Sequence, residues 1–130
     1  MKEVNQERVN SLITGIADFG KSEKGITRLA YSQEDFAAQK WLLEQIADLK
    51  LTVTQDAIGN TFLRREGKNS ALIPVAMGSH LDTVAQGGAY DGVLGVVGAI
   101  EVLYMLQNEE LERPIEIIIF RAEESTRFGF

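Results

Sequence analysis

The sequence predicts an α/β fold in which helices flank a mixed, largely parallel β-sheet. Residues 4–19 and 33–49 place apolar side chains at the spacing of one helix face, which predicts two helices. Residues 115–120, Ile-Glu-Ile-Ile-Ile-Phe, form a short apolar run that is typical of a buried strand. Residues 71–120 run strand, helix, strand, which is long enough for a right-handed crossover between two parallel strands.

The two N-terminal helices differ in the signal that predicts them. The first is predicted from apolar residues three and four positions apart. These residues are Val9, Leu12, Ile13 and Ile16. The second begins at Ser32, which stands three residues before Asp35 in a capping arrangement. Between the helices, residues 20–32 are rich in glycine and polar groups, so we interpret Thr27 and Arg28 as parts of a surface connection.

The middle of the chain predicts strands. Residues 51–55 and 61–65 alternate in polarity around a turn and predict a hairpin. Residues 71–77 are apolar at both parities, which predicts a strand covered on both faces. Pro74 removes a hydrogen-bond donor from that strand, so we expect a sheet edge or a bulge there.

A third helix is predicted over residues 92–107, where Gly92, Gly95 and Gly98 follow one another on adjacent turns. Each glycine costs a helix about 1 kcal/mol relative to alanine. We therefore expect close packing of all three against the sheet. Pro114 then opens the last strand, where its missing donor is tolerated.

Composition excludes several classes of function. A hydrophobic content of 45% over 130 residues is ordinary for one globular domain with a real core. A net charge of −6 without a basic cluster argues against nucleic acid as a partner. No cysteine is present, so disulfides and thiolate metal sites are excluded. No signal-peptide pattern and no long apolar run is visible, which predicts a cytoplasmic protein with no membrane partner.

The single histidine marks a candidate metal site. His80 follows the apolar run 71–77 and precedes a glycine-rich loop that ends at Asp91. A neutral imidazole is a good ligand for zinc or manganese. Asp82 is placed to bond the far ring nitrogen and fix the tautomer. Asp91 returns a carboxylate from the other side of the loop, although an aspartate before a helix is also a good N-cap.

Two adjacent carboxylates follow the last strand. Glu123 and Glu124 come directly after the strand-end residues Arg121 and Ala122. One of the two can ligate metal while the other moves protons, or both can form a solvated acidic pair. Because the carboxyl ends of parallel strands meet at one edge of an open sheet, we expect the glutamates to lie beside His80.

Four motifs carry a family resemblance. Gly-Ser-His-Leu-Asp-Thr at 78–83, Gly-Gly-Ala-Tyr-Asp-Gly at 87–92 and Ala-Glu-Glu-Ser-Thr-Arg-Phe-Gly at 122–129 resemble the M20 metallopeptidase superfamily. With Gly-Ile-Thr-Arg-Leu-Ala-Tyr-Ser at 25–32, they resemble its amidohydrolase branch. That branch contains N-carbamoyl-L-amino acid hydrolases, allantoate amidohydrolases and β-ureidopropionases. The resemblance implies a three-layer, zinc-peptidase-like fold and gives Thr27 and Arg28 an alternative place on the substrate side.

The resemblance also implies a role for each site residue. His80 and Glu124 would each ligate one of two divalent ions, Zn²⁺ or Mn²⁺, and Asp91 would bridge both. Glu123 would be the general base and Asp82 the partner of His80, and these two are the expected catalytic residues. Members of the family often have glycine after the glutamate pair, whereas this chain has serine there, which we interpret as variation within the branch.

The implied function is metal-dependent hydrolysis of a linear amide or ureido C–N bond, with N-carbamoyl-L-amino acids as substrates and water activated by a di-metal centre. The alternatives are an aminoacylase or dipeptidase of the same superfamily and a non-catalytic truncated module. The family's further ligand histidines and its lid and dimerisation domain would lie beyond residue 130. We therefore expect residues 1–130 to be the N-terminal part of the catalytic domain of a homodimeric enzyme, inactive alone.

Overall fold

A computed structural model describes residues 3–124, which form one mixed sheet, a short hairpin and three α-helices. Residues 1–2 and 125–130 lie outside the described part, and with them the serine after the glutamate pair and the rest of the acidic motif. The helices are α1 (Gln6–Ala17), α2 (Gln33–Gln45) and α3 (Val93–Met105), and a 3-10 turn spans Ala47–Leu49. The strands are β1 (Lys21–Ser22), β2 (Gly25–Ile26), β3 (Thr52–Gln55), β4 (Thr61–Arg65), β5 (Val75–His80) and β6 (Ile115–Phe120).

The main sheet has the strand order β3-β4-β6-β5. Strands β5 and β6 are parallel and are joined through α3, so the predicted parallel pairing across a helix is confirmed. The other two pairs, β3–β4 and β4–β6, are antiparallel. The sheet is mixed, as predicted, but within residues 3–124 antiparallel pairing is the commoner kind.

The core lies between the helices and one face of the sheet. Ile117 and Ile119 of β6 are buried together with Leu63 of β4 and with Leu42 and Ile100 of the helices. Along β6 every second residue is buried and the residues between are half-buried or exposed, which is the period-2 pattern of a strand with one covered face. The described residues thus build two of the three layers that the resemblance implies.

The helix starts follow from local chemistry. The side chain of Asn5 caps α1 by accepting a hydrogen bond of 2.9 Å from the Arg8 N–H. The Ser32 hydroxyl caps α2 through the Asp35 N–H at 3.2 Å, as predicted. Each cap satisfies an N–H group that the helix leaves without an internal partner.

The prediction of a strand over residues 71–77 was wrong in its limits and its burial. The strand β5 begins after Pro74 and extends to His80. It is at an edge of the described sheet and is largely exposed, with Val75 50% accessible. Proline lies outside the ladder because it has no N–H to donate, and the apolar run before it does not pair.

Two of the three glycines of α3 pack as predicted. A Cβ on Gly95 would lie 2.7 Å from the Ser79 side chain, and one on Gly92 would lie 2.5 Å from the His80 ring. Gly98 was predicted wrongly, since nothing lies within 4 Å of its would-be Cβ. Within residues 3–124, no helix is long and apolar enough to cross a membrane.

Candidate functional site

The candidate site lies where the parallel strands β5 and β6 end. His80, the last residue of β5, pairs in register with Phe120, the last residue of β6. The chain therefore leaves both strands at the same edge, and Glu123 and Glu124 follow within four residues of Phe120. This is the edge at which open α/β sheets bind their ligands. The expected meeting of His80 with the two glutamates is what the structure has.

His80 is oriented by the main chain. The residue is 7% exposed, and Nδ1 lies 3.0 Å from the carbonyl oxygen of Asp82. A carbonyl oxygen only accepts hydrogen bonds, so this contact requires the proton on Nδ1. Nε2 is the ring nitrogen that faces the carboxylates, and it lies 3.3 Å from Glu123 Oε2 and 3.8 Å from Asp91 Oδ2.

Asp91 is not a helix cap. The N-cap of α3 is Gly92, and no side chain caps that helix. Asp91 contributes its backbone carbonyl, which accepts a hydrogen bond of 2.7 Å from the Val93 N–H. Its side chain is 72% exposed and faces His80. Of the two alternatives that the sequence left open for this residue, the geometry removes capping and leaves the carboxylate available to a cation.

His80, Asp91 and Glu124 form a group whose ligand atoms all lie within 4.8 Å of one another. One imidazole nitrogen and two carboxylates form a donor set that zinc and manganese accept. Two ligands on opposite sides of one ion stand about 4.2 Å apart, twice a metal–ligand distance of about 2.1 Å. His80 Nε2 and Asp91 Oδ2 lie 3.8 Å apart, within that limit, so the donor set suits a divalent ion.

The electrostatics of the glutamate pair point the same way. Burial raises the pKa of Glu124, and the neighbouring carboxyl groups of Asp91 and Glu123 raise that pKa further, against an opposing effect of His80. Carboxylates this close repel one another, and a bound cation relieves the repulsion. This arrangement suits a bound cation, which is one of the two interpretations that the sequence left open for the pair.

Asp82 contacts both halves of the site in a way that the sequence did not predict. Its side chain is buried, and Oδ2 accepts a hydrogen bond of 3.0 Å from the Glu124 N–H. Oδ1 lies 3.7 Å from His80 Nδ1 and has no hydrogen-bond partner. The His80 ring is therefore hydrogen-bonded to the main-chain oxygen of Asp82 and not, as predicted, to its side chain. The Asp82 carboxylate instead connects the segments after β5 and β6 through the Glu124 N–H.

The burial of two arginines near the site was not predicted from the sequence. Arg28 is fully buried, so its assignment to a surface connection was wrong. Arg121 is buried after β6, where its guanidinium donates hydrogen bonds to the side chains of Asp35 and Gln39. Its backbone N–H donates to Asn60 Oδ1 at 2.8 Å. A lone arginine in a loop or after a strand is most often solvated. The motif at 25–32 singled out Arg28, but nothing in the sequence predicted that either arginine is buried.

A separate apolar pocket of about 250 Å³ lies between the end of α2 and strands β3 and β4. Its lining includes Leu43, Ile46, Leu51 and Val53. None of the site residues lines it, so it has no part in the chemistry described above.

Comparison with known proteins gives a family and a set of enzymes. The profile of peptidase family M28 matches residues 60–129. The "N-carbamoyl-L-amino-acid amidohydrolase" of Pseudomonas sp. (strain NS671) is 38% identical over 97% of this chain and 31% of its own length. The "Ureidoglycolate hydrolase" of Oryza sativa subsp. japonica is 39% identical over 97% of this chain and 27% of its own length.

The fold has solved counterparts of the same kind. The crystal structure of a hydantoinase/carbamoylase family amidase from Burkholderia ambifaria superposes with a TM-score of 0.93 and is 34% identical, over 98% of this chain and 32% of that one. These relatives confirm the amidohydrolase branch that the motifs resemble. The family profile that matches the chain is that of peptidase family M28. The chain spans about a third of the length of the relatives it matches.

Proposed function

Because the chain belongs to peptidase family M28 and aligns along nearly its whole length with carbamoylase-type amidohydrolases, we propose that the protein hydrolyses a linear amide or ureido C–N bond. Its proposed substrates are N-carbamoyl-L-amino acids. The observation that supports this most is the convergence of His80, Asp91 and Glu124 within 4.8 Å, with Glu123 3.3 Å from the His80 ring. A histidine and three carboxylates at one sheet edge suit metal-assisted hydrolysis better than nucleophilic catalysis.

The proposed cofactor is a pair of divalent ions, Zn²⁺ or Mn²⁺. His80 and Glu124 would each hold one ion, and the two oxygens of Asp91 would allow it to hold both. When bound, such ions polarise a substrate carbonyl and lower the pKa of water. Asp82 would keep the site in shape, because it contacts both His80 and Glu124.

Glu123 is the proposed general base. It is the carboxylate nearest to His80 Nε2, and its side chain is 53% exposed, so a substrate and water can reach it. It would accept a proton from the attacking water and return that proton to the leaving nitrogen as the C–N bond breaks. With a carbamoyl substrate, the products would be ammonia, carbon dioxide and the free amino acid.

Residues 1–130 are proposed to be the N-terminal part of the catalytic domain. Catalytic zinc sites usually have three protein ligands and a water. Here one ion would have His80 and Asp91 and the other Asp91 and Glu124, so each is one ligand short. The remaining ligands would come from outside these residues, and the 130-residue chain by itself should release little or no ammonia.

Metal binding is the first test. We expect Mn²⁺ titrated calorimetrically into the chain to bind in the wild type. Binding should be lost in His80→Ala and weakened at least about 10-fold in Asp91→Asn. Glu112→Gln, a change at an exposed loop residue, is the matched control and should bind like the wild type. A wild-type chain that binds no Mn²⁺ would contradict the metal site.

The reaction is tested on the complete gene product. We expect ammonia release from N-carbamoyl-L-amino acids, and Glu123→Gln should lower kcat by about 100- to 10,000-fold while Mn²⁺ still binds. N-acetyl amino acids, dipeptides and ureidoglycolate complete the substrate panel. Hydrolysis of the first two alone would favour the aminoacylase or dipeptidase alternative, and ureidoglycolate as the only substrate would move the proposal to the activity named for the rice relative.

A further inference from the structure

We propose that Arg28 is a positioning residue for the metal site, which fixes residues 81–83 so that His80 keeps its tautomer and Asp82 reaches Glu124. The inference rests on the proposed function, because it assigns a role within the same site. Arg28 itself makes no contact with the proposed ligand atoms. It would act through the main chain on which Asp82 is carried.

The guanidinium of Arg28 bonds three backbone carbonyls. Nε donates to the Leu81 oxygen at 2.7 Å, and Leu81 lies between His80 and Asp82. Nη1 donates to the oxygens of Ile16 at 3.0 Å and Phe19 at 2.9 Å, at the end of α1. One rigid planar group therefore links the segment after β5 to the end of a helix, which a flexible ammonium cannot do with the same geometry.

The main chain of Arg28 holds the same segment from a second direction. Its N–H donates to Thr83 Oγ1 at 2.9 Å, and its carbonyl accepts from the Thr83 N–H at 2.9 Å. The Thr83 hydroxyl in turn donates to the Ile26 carbonyl at 3.1 Å. Leu81 and Thr83 are thus both fixed to Arg28, and Asp82 is the residue between them.

Burying the charged guanidinium of Arg28 costs free energy, because the group is removed from water. Arg28 is 0% exposed, and its guanidinium donates to neutral carbonyls rather than to a carboxylate. Among the described residues, Arg28 Nη2 and Asp82 Oδ1 are the two buried side-chain atoms without a hydrogen-bond partner. An apolar side chain would avoid the cost of the buried charge but would leave these three carbonyls without their arginine donor. The arginine is therefore explained by the backbone segments that it holds together.

By fixing Leu81 and Thr83, Arg28 controls the two hydrogen bonds of the residue between them, Asp82. Its carbonyl accepts from His80 Nδ1 at 3.0 Å, and its Oδ2 accepts from the Glu124 N–H at 3.0 Å. A peptide that rotates at residues 81–83 moves both oxygens. Without Arg28 we therefore expect His80 Nδ1–H to lose its acceptor. The proton is then no longer held on Nδ1, so Nε2 is no longer kept unprotonated for a metal.

The single histidine makes the test direct, because imidazole ¹⁵N signals in NMR spectra arise from His80 alone. Spectra of the metal-free 130-residue chain would be recorded at about pH 8.5, well above the usual histidine pKa of about 6.5. We expect the Nδ1–H tautomer in the wild type. In Arg28→Met, which keeps most of the aliphatic length and loses the donors, we expect a shift towards the Nε2–H tautomer.

Arg65→Met is the matched control. Arg65 also donates to backbone carbonyls, those of Leu106, Gln107 and Glu109, but at the far end of α3. This variant should lose stability without any change in the His80 tautomer. Mn²⁺ affinity is the second readout, and we expect it to fall about 10-fold in Arg28→Met and to stay at the wild-type value in Arg65→Met.

The outcomes separate the two proposals. An Arg28→Met chain with the wild-type tautomer would overturn the role of Arg28, whatever its effect on stability. If Arg28→Met does not fold, Thr83→Val removes the acceptor of the Arg28 N–H with little change of shape, and the same shift in tautomer is expected. A wild type that binds no Mn²⁺ would count against the proposed function, while the tautomer would still decide the role of Arg28.

Discussion

The carboxylate oxygen Oδ2 of Asp82 accepts a hydrogen bond of 3.0 Å from the backbone N–H of Glu124. The two residues are 42 positions apart in the chain, yet this bond joins the segments that leave β5 and β6. Hydrogen bonds to a charged acceptor contribute about 1.5–3 kcal/mol. The acidic turn is thus held on the His80 side of the sheet edge by a buried side chain that is not among the proposed metal ligands.

We expect Asp82→Ala to release the Glu124 amide. Native-state hydrogen exchange should show loss of protection at that amide, because its acceptor is gone. Asp82→Asn keeps one acceptor oxygen and should retain most of the protection. Equal protection in the wild type and Asp82→Ala would show that the bond does not hold the turn.

Gly92→Ala should damage the site, whereas Gly98→Ala should not. Gly92 has φ +67°, and an added Cβ would lie 2.5 Å from the His80 ring, so we expect a loss of about 1–3 kcal/mol in unfolding free energy and weaker Mn²⁺ binding. Gly98 has open space and lies inside α3, so alanine there should stabilise the fold by about 0.5–1 kcal/mol. Urea unfolding measures both, and a neutral Gly92→Ala would contradict the packing against His80.

Arg121→Met should be strongly destabilising, because it leaves Asp35 as an uncompensated buried charge. The side chains of Arg121 and Asp35 are 3% and 2% exposed. Removing one partner of such a pair costs about 3–5 kcal/mol. The double variant Arg121→Met/Asp35→Asn carries no charge at this pair and should recover part of that loss in urea unfolding. A double variant no more stable than Arg121→Met would argue against the charge as the cause.

The contact between α1 and α3 should depend on pH through Glu101. Arg8 Nε donates to Glu101 Oε2 at 2.7 Å, and this hydrogen bond holds the pKa of Glu101 below its ordinary value of 4.5. A carboxyl whose pKa is lowered by folding stabilises the native state above its unfolded pKa, and that stabilisation is lost as the pH falls through the folded pKa. Glu101→Gln should therefore cost about 1.5–3 kcal/mol at pH 7.

The wild type and Glu101→Gln should converge in unfolding free energy as the pH falls below about 4.5. Glu44→Gln is the control, since Glu44 and Lys40 form an exposed pair at 3.9 Å, and it should change stability little at any pH. A cost of Glu101→Gln that stays constant down to pH 3 would show that packing, and not the ion pair, is responsible.

Local signals predicted most of the secondary structure. The strand β6 has the limits that its apolar run predicts, and the Ser32 cap starts α2 where the sequence places it. Apolar periodicity and capping act within a few residues, so they are readable along the chain. The strand β5 was misplaced because residues 71–73 are as apolar as a strand, and only pairing with β6 distinguishes the residues that join the ladder from those before Pro74.

The sequence by itself determined the chemistry of this protein: one imidazole, four nearby carboxylates, no thiol, and motifs that identify the branch of the family. The tertiary structure decided how those groups are held. It buried Arg28 behind residues 81–83, gave the His80 ring a main-chain acceptor and set the Asp82 carboxylate against Glu124. Some of these contacts join residues more than 40 positions apart, and the others depend on the direction of the backbone at a strand end. Neither property can be predicted from residue types and their spacing.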